Sequence, residues 1–493
     1  MRRLRTSVLA YRPLLVLLGL GVAIRIAAMA LFFPAVMTSY DSARFARADP
    51  QGLFDDYWMP AGYPAFLKVL HNVSDDVWFS IAVQHAIGVG VAVLLYLTAR
   101  RLGASPALAC VPAAFGLLSG DLLYLEHIFL ADAFMLALCV AGLAAAVWGL
   151  HPVVHRRLLA LAGALLAGAA LSRPPAAVTL LVLLIVAAVA GAGAGGWRPR
   201  LGAVAAAAAG AVVILALYAG SFAIKDGRYL GVGDMSGWLL YGRAAPFADC
   251  GEFTPPKGTE VLCDPRPPAQ RPGPFGFVWP EDAAARRAFT PLGPESGERP
   301  GAFARAALLH QPGSYLSAVG LDLVRYVEPD AGTPKPFSGQ GRDLVSFGFR
   351  DAGVEQTVIS GLARRYDGTE LHAPGTDLLQ TYQSLVRVDR LALAAAILLT
   401  LLGLVLVRGP LWIGTALFGL SGLGLYVLPA LTVSYDFRYG IPPSALVVTS
   451  AALAAAGLLE RRRRRSALPD DEELLAEQPP RERRGQVAAR QAT

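Results

Sequence analysis

Ten apolar runs set the terms on which this chain can fold: 12–33, 79–99, 105–121, 128–149, 158–172, 175–195, 201–223, 389–407, 410–432 and 440–459. A helix needs roughly 20 apolar residues to cross about 30 Å of hydrocarbon, and inside that layer each backbone N–H and C=O must be satisfied within the protein. The pattern predicts an all-α polytopic membrane protein of about ten transmembrane helices. The fifth run is short, and Ser172-Arg173-Pro174-Pro175 divides it from the sixth, so those two read as a tight hairpin.

Composition agrees. Of 493 residues, 54% are hydrophobic and 16% charged, where a soluble chain carries about a quarter charged. The net charge of +7 sits in short clusters beside the runs: Arg2, Arg3 and Arg5, Arg100-Arg101, Arg156-Arg157, Arg198 and Arg200, Arg408, and Arg461 to Arg465. With the N-terminus cytoplasmic, each cluster falls on the cytoplasmic side, as basic flanks of membrane helices do. Such a distribution argues against nucleic acid as a partner, which would need a basic groove. It predicts a multi-pass protein of the plasma (inner) membrane with both termini inside. The first run follows a basic start but lacks a clear small-residue cleavage site, so it reads as an uncleaved anchor.

This orientation puts 34–78, a short turn near 122–127, a loop at 224–388 and 433–439 outside. The expected organisation is an N-terminal transmembrane module (1–223), a large external loop or small α or α+β subdomain (224–388), C-terminal transmembrane helices (389–460) and a disordered cytosolic tail (461–493). Within the external loop, 301–328 reads as an interfacial helix, carrying Phe303, Ala307, Tyr315, Val319 and Tyr326 on its apolar face. Cys250 and Cys263 share that loop, and an oxidising exterior makes them a predicted disulfide, with two free thiols as the alternative.

Charges in or against the membrane each require an account, because one at mid-span costs about 2.5 to 3.5 kcal/mol on insertion scales. Asp41, in Tyr40-Asp41-Ser42-Ala43-Arg44-Phe45, lies just outside the first run. It can act as a general base toward an acceptor hydroxyl, or cap a juxtamembrane helix. Tyr57-Trp58-Met59-Pro60-Ala61-Gly62-Tyr63-Pro64 reads as a rigid interfacial turn rather than a helix. Glu126, His127 and Asp132 crowd the external end of the fourth run, and His85 that of the second. They are candidate second-site acids, acceptor contacts or ligands of a divalent metal ion, although on one continuous helix Glu126, His127 and Asp132 would not all share a face. Arg25, Arg173 and Arg438 with Tyr439 are candidates for binding a donor phosphate, since a guanidinium presents a planar, permanently charged fork. Snorkelling is the alternative for Arg25. Lys225, Arg228 and Arg243 are weaker candidates of the same kind.

In order along the chain, these motifs resemble the GT-C superfamily of membrane glycosyltransferases that use polyprenyl-phosphate sugars. The segment from Tyr40 to Phe45 is similar to the family's Asp-Glu-x-Arg-Tyr pattern, with Ser42 in place of the Glu. Pro60-Ala61-Gly62-Tyr63-Pro64, the stretch from Tyr124 to Asp132, Leu171-Ser172-Arg173-Pro174 and Arg438-Tyr439 continue the likeness over roughly 20–225 and 300–460. The resemblance implies a GT-C-like fold and inverting transfer of a sugar from a polyprenyl-phosphate donor to an extracytoplasmic lipid, glycan or protein, with membrane lipids around the site and Asp41 as catalytic base. Ser42 leaves that base without the paired acid. A transporter or flippase for a lipid-linked or anionic substrate is the other reading. Inverted repeats and broken mid-membrane helices would mark it, and neither is clear in the sequence.

Overall fold

The computed structural model describes residues 2–37, 41–42, 44–45, 53–54, 60–190, 196–226, 235–291, 295–328, 333–334, 344–345, 348–349 and 366–466. Arg228 and the 467–493 part of the expected tail lie outside the described residues. What is described is almost wholly helical, with one two-residue antiparallel pair, Thr333–Pro334 against Leu344–Val345.

Every apolar run meets a helix, but not every helix is a full span. Six are long and apolar enough to cross a membrane by length and composition: Arg12–Leu31, Val77–Arg101, Asp132–Leu150, Trp197–Lys225, Pro410–Thr432 and Phe437–Arg464. Two bent pairs raise the number to as many as eight. The remaining runs give Arg156–Ser172, with 17 residues, and Ala177–Ala190, with 14. At 1.5 Å per residue these reach about 26 and 21 Å, short of the hydrocarbon layer. The chain is a multi-pass membrane protein whose shorter helices pack between longer ones.

Small residues allow that packing. A Cβ on Gly163 would lie 1.9 Å from the Ala207 carbonyl oxygen, and one on Gly210 would lie 1.8 Å from that of Ala160. Arg156–Ser172 and Trp197–Asp226 therefore touch backbone to backbone, the arrangement that joins helices where lipid tails remove the hydrophobic drive. Asp132–Leu150 packs as extensively on Arg156–Ser172, and Pro410–Thr432 and Phe437–Ser466 form another close pair, with Arg390–Leu406 against them.

Four local expectations are corrected. The third run is not one helix: Pro106–Leu118 and Gly120–His127 meet at 48°. Ser119 makes the break, its Oγ accepting the Leu122 N–H as the cap of the second piece. The expected turn at 122–127 is thereby a buried helix. Of the turn expected at 57–64, residues 57–59 lie outside the described residues and Gly62 onward is the helix Gly62–His71, since Pro64 falls in the first turn, where a missing N–H costs nothing. The 301–328 segment is two helices, Glu298–His310 and Pro312–Arg325, interrupted at Gln311 by the following proline.

A second core, formed by Met235, Trp238, Tyr241, Phe253, Phe277, Phe303 and neighbours, lies in the segment expected to be external. Cys250 and Cys263 are bonded across its edge, with Cα atoms 5.9 Å apart. The final helix runs unbroken through Ser466, so the arginine cluster beginning at Arg461 prolongs it.

Candidate active site

Four chain segments bring three carboxylates and two guanidiniums together. Asp41 sits in a helical turn after the first helix, held by Phe45, whose ring meets Tyr63 edge-on at 4.9 Å. Asp132 opens the Asp132–Leu150 helix. Arg173 follows Arg156–Ser172 in extended conformation, with Pro174 preventing the helix from continuing. Asp436 and Arg438 come from the turn into the last helix, where Asp436 Oδ1 accepts the Arg438 backbone N–H at 2.8 Å.

The contacts are direct. Arg173 Nη2 donates to Asp132 Oδ2 at 2.5 Å and lies 3.9 Å from Asp41 Oδ2. Arg438 Nη1 lies 3.3 Å from the same Asp41 oxygen, and its guanidinium stands 5.4 Å from the centre of the Tyr439 ring. Asp132 and Arg438 are buried, while the Asp41 side chain keeps 20% exposure, the most open of the carboxylates in these pairs. The Nε atoms of Arg173 and Arg438 are both buried without a hydrogen-bond partner. A buried guanidinium N–H left unbonded is costly, so each arginine has donor capacity beyond the carboxylate it pairs with.

The environment separates two acids outside the spans. Burial pushes the Asp41 carboxyl up, but Arg438, Arg173 and Arg44 together outweigh it and hold the group below the usual carboxylate range. Asp436 moves the other way: burial raises it, and Arg438 only partly opposes this. Asp41 is thus the acid kept ionised, and Asp436 the one that holds a proton more readily.

The other sequence candidates form a separate buried chain. Arg25 donates to Glu126 through Nε at 2.8 Å and Nη2 at 2.7 Å, and through its remaining hydrogens to the carbonyls of Gly21, Leu117 and Gly116. His85 Nδ1 lies 3.0 Å from Glu126 Oε2, His85 Nε2 lies 3.0 Å from His127 Nδ1, and His127 Nε2 lies 2.6 Å from the Phe32 carbonyl. Glu126 and His127 belong to this chain and Asp132 to the arginine site because residues 128–131 leave the helix. Ile128 pairs in parallel with Val36, which lets Asp132 start a new helix facing elsewhere. Arg25 directs its donors to Glu126 and carbonyls rather than to the Arg173 and Arg438 site. Among the described residues, no group of three His, Cys, Asp or Glu side chains is placed to hold a metal ion.

Sequence reading passed over Asp436, although it flanks Arg438, and Asp322. Asp322 accepts from Arg243 at 2.6 Å, from Arg325 at 3.1 Å and from the Tyr435 backbone N–H at 3.0 Å. It therefore ties the second core to the turn that presents Asp436 and Arg438. Arg243, a weak phosphate candidate by sequence, is part of that tie. Lys225 is exposed at the end of the Trp197–Asp226 helix.

No protein-family model matches the chain, and no curated protein matches it. Among solved structures it is similar to ArnT from Cupriavidus metallidurans bound to undecaprenyl phosphate, with 13% identity over 95% of this chain and 81% of that one, and a TM-score of 0.38.

Proposed function

We propose that this protein is an inverting glycosyltransferase of the plasma (inner) membrane, which moves a sugar from a polyprenyl-phosphate donor to an acceptor on the external face. The observation that carries the reading is the meeting of Asp41, Asp132, Arg173, Asp436 and Arg438, drawn from distant parts of the chain. An ionised, partly open carboxylate beside two guanidiniums with unused donors is what a displacement at a sugar phosphate requires. Both termini would be cytoplasmic, with 224–388 forming the external unit.

In this mechanism Asp41 accepts the proton of the acceptor hydroxyl while that oxygen attacks the anomeric carbon. The bond from the anomeric carbon to the phosphate oxygen breaks, and its electron pair leaves on the polyprenyl phosphate. Arg173 and Arg438 stabilise that charge, which is the principal electrostatic contribution expected in such a step. In the resting site the same arginines neutralise Asp41 and Asp132. A phosphate that draws them away releases Asp41 to be a stronger base. Asp132 then holds Arg173 in place, and no paired acid at Ser42 is needed.

The transporter reading has the two bent helix pairs in its favour, Pro106–Leu118 with Gly120–His127 and Thr376–Leu385 with Arg390–Leu406. Purified protein incubated with a radiolabelled polyprenyl-phosphate sugar and an envelope lipid and glycan extract separates the two. Label appearing covalently in the acceptor fraction supports transfer. Label crossing a sealed vesicle with its polyprenyl phosphate attached would replace transfer with transport.

A further inference from the structure

Arg25, Glu126, His85 and His127 contact one another in a way that fixes how many protons they hold. The Phe32 carbonyl can only accept, so His127 Nε2, 2.6 Å away, donates. Glu126 accepts Arg25 on both oxygens, at 2.7 and 2.8 Å, as an ionised carboxylate does, so His85 Nδ1, 3.0 Å from Oε2, donates too. Between these ends, His85 Nε2 and His127 Nδ1 are 3.0 Å apart, and one must carry the hydrogen and the other the lone pair. The two rings then hold three N–H hydrogens, one more than two neutral imidazoles have.

We infer that the His85–His127 pair holds one excess proton, which makes it a buried cation that positions the first external loop. Arg25 and Glu126 cancel, so the four-residue chain carries one net positive charge. The groups facing the pair are consistent with this. Glu126 shares Oε2 between Arg25 and His85, Gln84 donates to the Glu126 and Ile128 carbonyls at 3.0 Å each, and the Phe32 and Phe349 rings close over His127 at 5.7 Å. Tyr63 donates to Gln84 from the opposite side.

The bonds around His127 fasten the two segments that lead to Asp41 and Asp132. The Val36 N–H donates to the His127 carbonyl, and the Phe129 N–H to the Val36 carbonyl, each at 3.0 Å. In the chain, Asp41 follows Val36 by five residues and Asp132 follows Phe129 by three. With two neutral rings, one of the three ring contacts would set lone pair against lone pair, and the bond to Phe32 is one of the three. His85 and His127 are positioning residues in this account. That role rests on the reading of Asp41 as base, whereas the proton count does not.

The test is 15N-histidine NMR on the full-length protein in lipid nanodiscs at pH 7.5, with no donor or acceptor added. A through-hydrogen-bond correlation between two imidazole rings identifies the pair in the wild type, without relying on a variant that folds. The expected result is three protonated nitrogens and one unprotonated nitrogen in that pair, with the extra proton lost in Glu126→Gln. Two unprotonated nitrogens, or no ring-to-ring correlation, would overturn the proposal. Because the readout needs no turnover, a failed transfer assay with an intact proton count would count against the glycosyltransferase reading alone.

Discussion

Arg438 on the last helix and Asp41 in the first loop meet at 3.3 Å, closing the site between opposite ends of the chain. The contact sets the charge state of Asp41 as well as its place. Because Arg438 is the strongest of the guanidiniums holding that carboxyl down, Arg438→Met is expected to let it rise. The acid limb of the transfer rate should then move to higher pH. For stability the sign is the same as for any depressed acid: the contribution is present above the ordinary Asp value of about 3.9 and is lost as pH falls through the folded value. A pH–rate profile of Arg438→Met with an unmoved acid limb would contradict the pairing.

Arg173 and lysine differ by the fork. Arg173 uses Nη2 for Asp132 and keeps a buried Nε unbonded, whereas a lysine has one point of charge. Arg173→Lys is expected to keep the fold and lose about 10²-fold in rate, the size of one lost transition-state donor. Steady-state kinetics with the polyprenyl-phosphate sugar would show the loss in kcat.

Gly88 is expected to tolerate no side chain. A Cβ there would fall 2.0 Å from Glu126 Oε1, on a carboxylate already held by Arg25 and His85. Gly88→Ala should displace Glu126 and leave a buried guanidinium without its partner, a loss of about 3–5 kcal/mol. Thermal unfolding in detergent should fall sharply, while Gly90→Ala, with open space at its Cβ, should leave it unchanged.

The Cys250–Cys263 bond closes a short loop on the second core, with a sequence separation of 13. By the chain-entropy relation such a loop is worth about 3 kcal/mol. Cys250→Ser with Cys263→Ser should lower the melting temperature of the protein, and reductant should lower the wild type to match. A double variant indistinguishable from the oxidised protein would mean the bond adds nothing.

The helices were legible because hydrophobic length is a strong signal, and each apolar run meets one. What hydropathy could not show was where a run breaks. Ser119 looks like any small polar residue until its hydroxyl caps Leu122, and Pro64 looks like a turn residue until it proves to sit in a first turn. The candidate acids and arginines were visible as charges with no reason to be near a membrane. Their grouping was not. Glu126 and Asp132 lie six residues apart yet serve different clusters, because the chain leaves the helix at 128–131 and Ile128 pairs with Val36. Asp322 carries no sequence signal because its role depends on Tyr435, 113 residues away, and Asp436 carries none because a loop acid two residues before Arg438 reads as an ordinary solvated charge until the turn holds it against the Arg438 N–H.

The central claim is that Asp41 is the base of a sugar transfer. The direct measurement is the single-turnover rate of Asp41→Asn, a change that keeps shape and removes charge, with a polyprenyl-phosphate sugar and acceptor both saturating. A fall of about 10² to 10⁴-fold in a protein that melts like the wild type is the predicted result. A rate equal to the wild type would contradict it.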